Sequence, residues 1–269
     1  MRLTRHACPT GPRWALDGAF LSPAFSLSLL AQATDAQGLL RACRTEESAR
    51  GDLLAPIDPH QELWAAGVTY LRSMEARAEE SDIGARLYAH VYESERPELF
   101  FKSPGWRVVA EGRPIRIRRD SDWNVPEPEM TLLVNTRLEI IGYTAGNDVS
   151  SRSIEGANAL FLPQAKIYDA AAALGPGIVL TDRAGVRDLP ITLEIRRAGK
   201  TVFEGMTSSA RMKRDPAELC RWLGAELSFP DGALLMTGTG LVPGEAFTLQ
   251  VGDEVAVGVG SERLVNVVA

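Results

Sequence analysis

From about residue 106 the chain is built of short apolar runs, some alternating with polar residues and some unbroken, and both patterns predict β-strands. Pro114-Ile-Arg-Ile-Arg118 alternates, the period of a half-buried strand whose arginines form a solvated face or, less commonly, an anion site. Met130-Thr-Leu-Leu-Val134 and Leu138-Glu-Ile-Ile-Gly-Tyr143 flank Asn135-Thr-Arg137 and predict a hairpin. Further strands are expected at residues 177–180, 191–196, 201–204, 233–236 and 254–258. Helical signals are fewer. Asp215 can cap a helix with Pro216 in its first turn, Glu218 completing a capping box, and Leu219, Trp222, Leu223 and Leu227 as its buried stripe. Regular strand–helix alternation is missing, so the expected fold class is α+β and β-rich rather than a doubly wound sheet.

Before residue 106 the signals are shorter. Residues 1–56 read as brief strands, turns and one amphipathic helix in the apolar run 24–31. Pro56-Ile-Asp-Pro59 reads as an extended linker, because each proline bars its predecessor from helix. The expected division is a small N-terminal domain at 1–60 and a catalytic domain at 61–269. Trp64-Ala-Ala-Gly-Val-Thr-Tyr70 predicts a strand, helices are expected after Ser73 and after Asp82, and Pro97-Glu-Leu-Phe-Phe-Lys-Ser-Pro104 predicts a second strand.

With 269 residues, 45% hydrophobic and 24% charged, the chain can bury a full core. A net charge of −6 argues against a nucleic-acid partner, which wants a concentrated basic surface. It leaves small anionic substrates open, since a bound dication reverses the local sign. Cys8, Cys43 and Cys220 are unclustered, so reduced thiols in a cytoplasmic protein are expected. Prolines and Asp17 interrupt the N-terminal region against a leader peptide, and no run approaches the ~20 apolar residues of a membrane span. His6, His60 and His90 have no metal spacing, so a hard metal would need oxygen ligands.

Asp122-Trp-Asn-Val-Pro-Glu-Pro-Glu-Met130 supplies such oxygens. Pro126 and Pro128 enforce an extended backbone, which turns Glu127 and Glu129 to the same face about 6–7 Å apart. If the hairpin turns near Thr136, its return strand brings Asp148 beside Glu127. Three converging carboxylates repel unless a cation such as Mg²⁺ or Mn²⁺ sits among them. On pattern alone, a solvated edge with Asp148 in a turn is the commoner outcome. Lys166 stands in an apolar setting, where burial would tune it for proton transfer and snorkelling is the plain alternative. Thr237-Gly-Thr-Gly-Leu-Val-Pro-Gly244 is either an ordinary tight turn or a loop whose amides hold a carboxylate, and it lacks the lysine of a nucleotide loop.

Taken in order, Glu127-x-Glu129, Tyr143-Thr-Ala-Gly-Asn-Asp-Val-Ser-Ser-Arg152, Lys166, Leu174-Gly-Pro176 and Thr237-Gly-Thr239 resemble the fumarylacetoacetate hydrolase superfamily over residues 62–268. The resemblance implies a mixed β-roll with a variable N-terminal region, Mg²⁺ (or Mn²⁺ or Ca²⁺) held by Glu127, Glu129 and Asp148, and Lys166 in the active site. The hydrolases carry a water-activating histidine early in the core, whereas this chain reads Gly67-Val-Thr-Tyr-Leu-Arg-Ser-Met-Glu-Ala-Arg77. Gly67-Val-Thr-Tyr70, with Arg96-Pro-Glu-Leu-Phe-Phe-Lys102, Val125-Pro-Glu-Pro-Glu129 and Leu162-Pro-Gln-Ala-Lys166, is more similar to the 2-keto-3-deoxy-pentonate dehydratases.

That branch implies a metal-stabilised enolate, formed by loss of the C3 proton before hydroxide leaves C4. Lys166 and Glu75 are the expected proton-transfer groups, and Lys102, Gln164 and Thr239 the expected substrate contacts. Two other outcomes stay open: a C–C hydrolase or decarboxylase of acylpyruvate-like acids, and a non-catalytic binding protein retaining the fold. By analogy the chain is expected to form a homodimer or homotetramer.

Overall fold

The computed structural model describes residues 1–71 and 82–269, without the side chains of 82–86. Glu75 and the helix expected after Ser73 therefore lie outside the described residues. The N-terminal strands are β1 (Arg2–His6), β2 (Arg13–Leu16), β3 (Ala19–Leu21), β4 (Arg44–Ser48) and β5 (Leu53–Leu54). Between β3 and β4 lie helices α1 (Leu27–Gln32) and α2 (Ala36–Cys43), capped by the Ser26 and Asp35 side chains. Then come β6 (Glu62–Gly67), α3 (Asp82–Glu93), β7 (Glu98–Pro104) and β8 (Asn124–Val125).

The centre of the fold is the expected hairpin, β9 (Pro128–Val134) with β10 (Ile140–Asp148). Asn135 closes it, its side-chain oxygen accepting from the amides of Arg137 and Glu139, both at 2.9 Å. After β11 (Ser150–Ser151), the short helices α4 (Arg152–Ala157) and α5 (Leu162–Lys166) lead to β12 (Ala172–Leu180). The remainder is β13 (Pro190–Arg197), β14 (Lys200–Ser208), α6 (Pro216–Leu223), β15 (Ala233–Met236), β16 (Glu254–Val259) and β17 (Glu262–Val267).

An 11-stranded mixed sheet runs β4-β3-β2-β1-β12-β10-β9-β15-β6-β7, with β5 on β1, and a four-stranded sheet runs β14-β13-β16-β17. Side-chain alternation gives β9 and β10 two apolar faces. Met130, Leu132, Val134, Tyr143 and Ala145 pack toward Leu193, Ile195, Val255 and Val257 of the smaller sheet. Leu133, with Leu174, Leu234 and Met236, packs instead toward Leu3, Leu16, Leu27 and Leu30. Strands buried on both faces read as near-continuous apolar runs, which is why 130–134, broken only by Thr131, and 233–236 stand out in the sequence.

The strands of residues 1–54 join the large sheet through the β1–β12 pairing. Two expectations change. Residues 114–118 are extended without a ladder: Ile115 makes one bridge to Val268 and is buried, so the alternation records a half-covered loop. Helix α6 is capped by Asp215 and buries Leu219 and Leu223, but Glu218 pairs with Arg214 instead of completing a box. Its stripe ends there. Leu227 is exposed, and Trp222 is half-buried with the Arg96 guanidinium over its ring. Among the described residues no helix is long and apolar enough to cross a membrane.

Candidate metal centre and active site

The prolines and the hairpin place the acidic groups. Pro128 opens β9 opposite Asn147, Glu129 pairs with Gly146, and one step further the Asp148 amide donates to the Glu127 carbonyl at 3.0 Å. Gly146 is required there, because a Cβ would stand 2.2 Å from Thr131 Oγ1 and 2.9 Å from the Met236 methyl. The three carboxylates are buried, and each offers an oxygen within 4.8 Å of the others. At that spacing each pair of full charges repels by about 3–4 kcal/mol at an effective dielectric of 20.

Glu129 shows the consequence: burial, then Asp148 and Glu127, push its carboxyl well above the usual range. The Gly238 amide, donating to Glu129 Oε2 at 2.6 Å, and the Lys166 charge work in the opposite direction. The loop 237–244 thus binds a carboxylate, and it is the protein's own. A buried set of carboxylate oxygens under mutual repulsion suits a hard dication, and the triad can hold a metal ion.

Three cations surround the acids among the described residues. Lys166, at the end of α5, donates from Nζ to Glu127 Oε2 at 2.6 Å, Asp148 Oδ2 at 3.1 Å and Ser150 Oγ at 2.6 Å. Arg152 Nη1 reaches Glu127 Oε1 at 3.4 Å. Lys102 on β7 pairs with Asp148 Oδ1 at 2.5 Å and donates to the carbonyls of Lys166 and Val149. Burial lowers the Lys102 ammonium, and Asp148 opposes that shift. Three formal negative charges therefore meet three positive ones.

A small cavity opens beside this cluster. Ala66, Gly67, Val68 and Phe100 form its apolar side, and Arg152, Lys166, Gly238 and Thr239 stand beside the three acids. Val68 holds φ +54, a strained conformation for a β-branched residue.

Of the residues expected in the site, the structure brings Glu127, Glu129, Asp148, Lys166 and Thr239 to one cavity. The Thr239 hydroxyl is engaged within its own turn, donating to the Leu241 carbonyl at 3.0 Å. Two expected substrate contacts are elsewhere. Lys102 stands behind Asp148, fully buried, and is not among the cavity-lining residues. Gln164 is exposed beside Arg119 and Phe161, because two residues along a helix is about 200° of rotation from Lys166. Sequence reasoning assigned no role to Ser150 or Arg152. The signal was their place two and four residues after Asp148, on the strand and helix that continue the hairpin.

Residues 64–269 match the family described as Fumarylacetoacetate (FAA) hydrolase C-terminal. Over 203 residues, 75% of this chain and 69% of the relative, the chain is 45% identical to the "Probable 2-keto-3-deoxyxylonate dehydratase" of Haloferax volcanii. It is 39% identical over 214 residues, 78% of this chain and 70% of the relative, to the 2-dehydro-3-deoxy-D-arabinonate dehydratase of Saccharolobus solfataricus. A solved structure of 2-keto-3-deoxy-D-arabinonate dehydratase complexed with magnesium and 2,5-dioxopentanoate superposes with a TM-score of 0.81. The two share 33% identity, over 100% of this chain and 98% of that one.

Proposed function

The chain belongs to the fumarylacetoacetate hydrolase family, and we propose that it is a divalent-metal-dependent hydro-lyase that dehydrates a 2-keto-3-deoxy-pentonate. The observation that carries this reading is the meeting of three buried carboxylates with Lys166 at one cavity, in a chain close to dehydratases.

Glu127, Glu129 and Asp148 would hold the ion, Mg²⁺ by likeness to the solved relative, with Mn²⁺ or Ca²⁺ as substitutes. The ion supplies Lewis acidity toward the 2-keto oxygen, which acidifies C3. The chain supplies the rest. Lys166 Nζ, held by Ser150 and Glu127, carries the proton between C3 and the departing C4 hydroxyl. The C3–H and C4–O bonds break, a C3–C4 double bond forms and water leaves. Two proton shifts, from C5 to C3 and then from the C5 hydroxyl to C4, convert the alcohol carbon into the aldehyde of 2,5-dioxopentanoate, the compound named with the solved relative. Ala66, Val68 and Phe100 limit water at the reacting carbons. Glu75 is the second proposed proton-transfer group, and Thr239 remains a proposed substrate contact at the cavity wall.

The test is product identification after incubation with Mg²⁺ and either 2-keto-3-deoxy-pentonates or acylpyruvates. Conversion of the former to 2,5-dioxopentanoate with acylpyruvates intact supports the reading. Pyruvate released from acylpyruvates, with pentonates untouched, replaces it with C–C hydrolysis. A cytoplasmic homodimer or homotetramer completes the proposal, with light scattering of the full chain as its check.

A further inference from the structure

Each acid of the triad has one oxygen engaged by a partner other than Lys166. Asp148 Oδ1 is taken by Lys102 at 2.5 Å, Glu129 Oε2 by the Gly238 amide at 2.6 Å, and Glu127 Oε1 faces Arg152 at 3.4 Å. Lys102 is the one of these partners that lies away from the cavity, its contact with Asp148 an ion pair. Its side chain is 0% exposed. Its ammonium has three donors and three oxygens around it: Asp148 Oδ1 and the carbonyls of Lys166 and Val149. Lys166 differs, because it lines the cavity and divides its charge among Glu127, Asp148 and Ser150. A dication held by the triad would compete with Lys166, on the cavity side, for Asp148 Oδ2, and Lys102 would hold Oδ1 from behind.

We infer that Lys102 is a positioning residue that sets which dication the triad accepts, by leaving Asp148 a single oxygen to offer. The inference rests on the metal-dependent reading above. Mg²⁺ takes six ligands in a strict octahedron and suits carboxylates that each give one oxygen, with the remaining places for water and substrate. Ca²⁺ takes six to eight oxygens and gains from carboxylates that bind through both. With Oδ1 held by a buried cation, Asp148 cannot turn to give two. The site would thereby be biased toward the smaller ion.

The experiment is calorimetric titration of the metal-free full chain with Mg²⁺ and with Ca²⁺, for wild type and Lys102→Met. Wild type is expected to bind Mg²⁺ about ten-fold or more tighter than Ca²⁺, and Lys102→Met to move that ratio toward Ca²⁺ by about ten-fold. Equal or tighter Ca²⁺ binding by wild type overturns the inference without recourse to any variant, so it stays testable if Lys102→Met fails to fold. A folded Lys102→Met that loses both ions in parallel, with the ratio unchanged, also overturns it and leaves the metal-dependent reading intact. Wild type that takes up neither ion overturns the metal-dependent reading itself, and this inference with it.

Discussion

The Gly238 amide donates to Glu129 Oε2 at 2.6 Å, joining the loop after β15 to a carboxylate 109 residues earlier in the chain. This contact depends on the absence of a side chain at 238. Gly238 sits at φ +85, and a Cβ there would stand 2.2 Å from Thr69 Oγ1 and 3.0 Å from the Ala66 carbonyl. Gly238→Ala is therefore expected to cost about 1–3 kcal/mol of stability and to weaken dication binding. Thermal melts and Mg²⁺ titration check both, and unchanged values in both would remove this loop from the site.

Glu129 predicts a pH dependence of the metal-free protein. Its folded pKa lies above its unfolded value, first through burial and then through Asp148 and Glu127. Such a group contributes stability below the unfolded pKa of about 4.3, and loses it as pH rises through the raised value. The stability of Glu129→Gln relative to wild type should therefore grow as pH rises above about 4.3. Denaturant midpoints at stepped pH measure it. Saturating Mg²⁺ should reverse the ranking at neutral pH, because only wild type gains from full ligation.

Lys166→Met separates chemistry from ion binding. Its Nζ lies 2.6 Å from Glu127 and 3.1 Å from Asp148, so its removal deprives two buried carboxylates of a partner. Metal-free stability should fall by about 3–5 kcal/mol and dication affinity should not fall. Turnover of the pentonate should drop about 10²–10⁴-fold. A variant with near wild-type turnover would remove Lys166 from the proton path.

Glu262→Ala tests how the N-terminal strands are held. The buried Glu262 carboxylate accepts from Arg2 Nε at 2.6 Å, Arg2 Nη2 at 3.0 Å and the Gly177 amide at 2.9 Å. Its loss should cost about 2–3 kcal/mol, read as a lower urea midpoint, with kcat unchanged well below the melting temperature.

Local geometry made the acidic face readable in advance. Proline-enforced extension and a short hairpin act over a few residues, and they bring Glu127, Glu129 and Asp148 together. The central strands were readable too, because 130–134 and 233–236 are buried on both faces. What sequence could not convey is pairing at a distance. The parallel contact of β15 with β6, the β1–β12 junction and the seat of Lys102 behind Asp148 join residues 46 to 177 positions apart, with no local signal. The resemblance implies a substrate contact for Lys102, and the structure seats it behind Asp148 instead. β17 was overlooked because Glu262-Arg-Leu-Val-Asn-Val267 mixes charge into a strand whose Glu262 is buried for pairing with Arg2. Period-2 alternation at 114–118 misled for the opposite reason: extended chain shows the same rhythm with or without a ladder.

The equal count of acids and cations around the cavity bears on the life history of the molecule. Because Lys102, Lys166 and Arg152 already offset the triad, folding need not wait for metal, unlike domains that are unstructured until loaded. The ion would then enter a site whose acids already have partners. Its supply would govern how many molecules are switched on and, by mass action, would also add to the stability of those it fills.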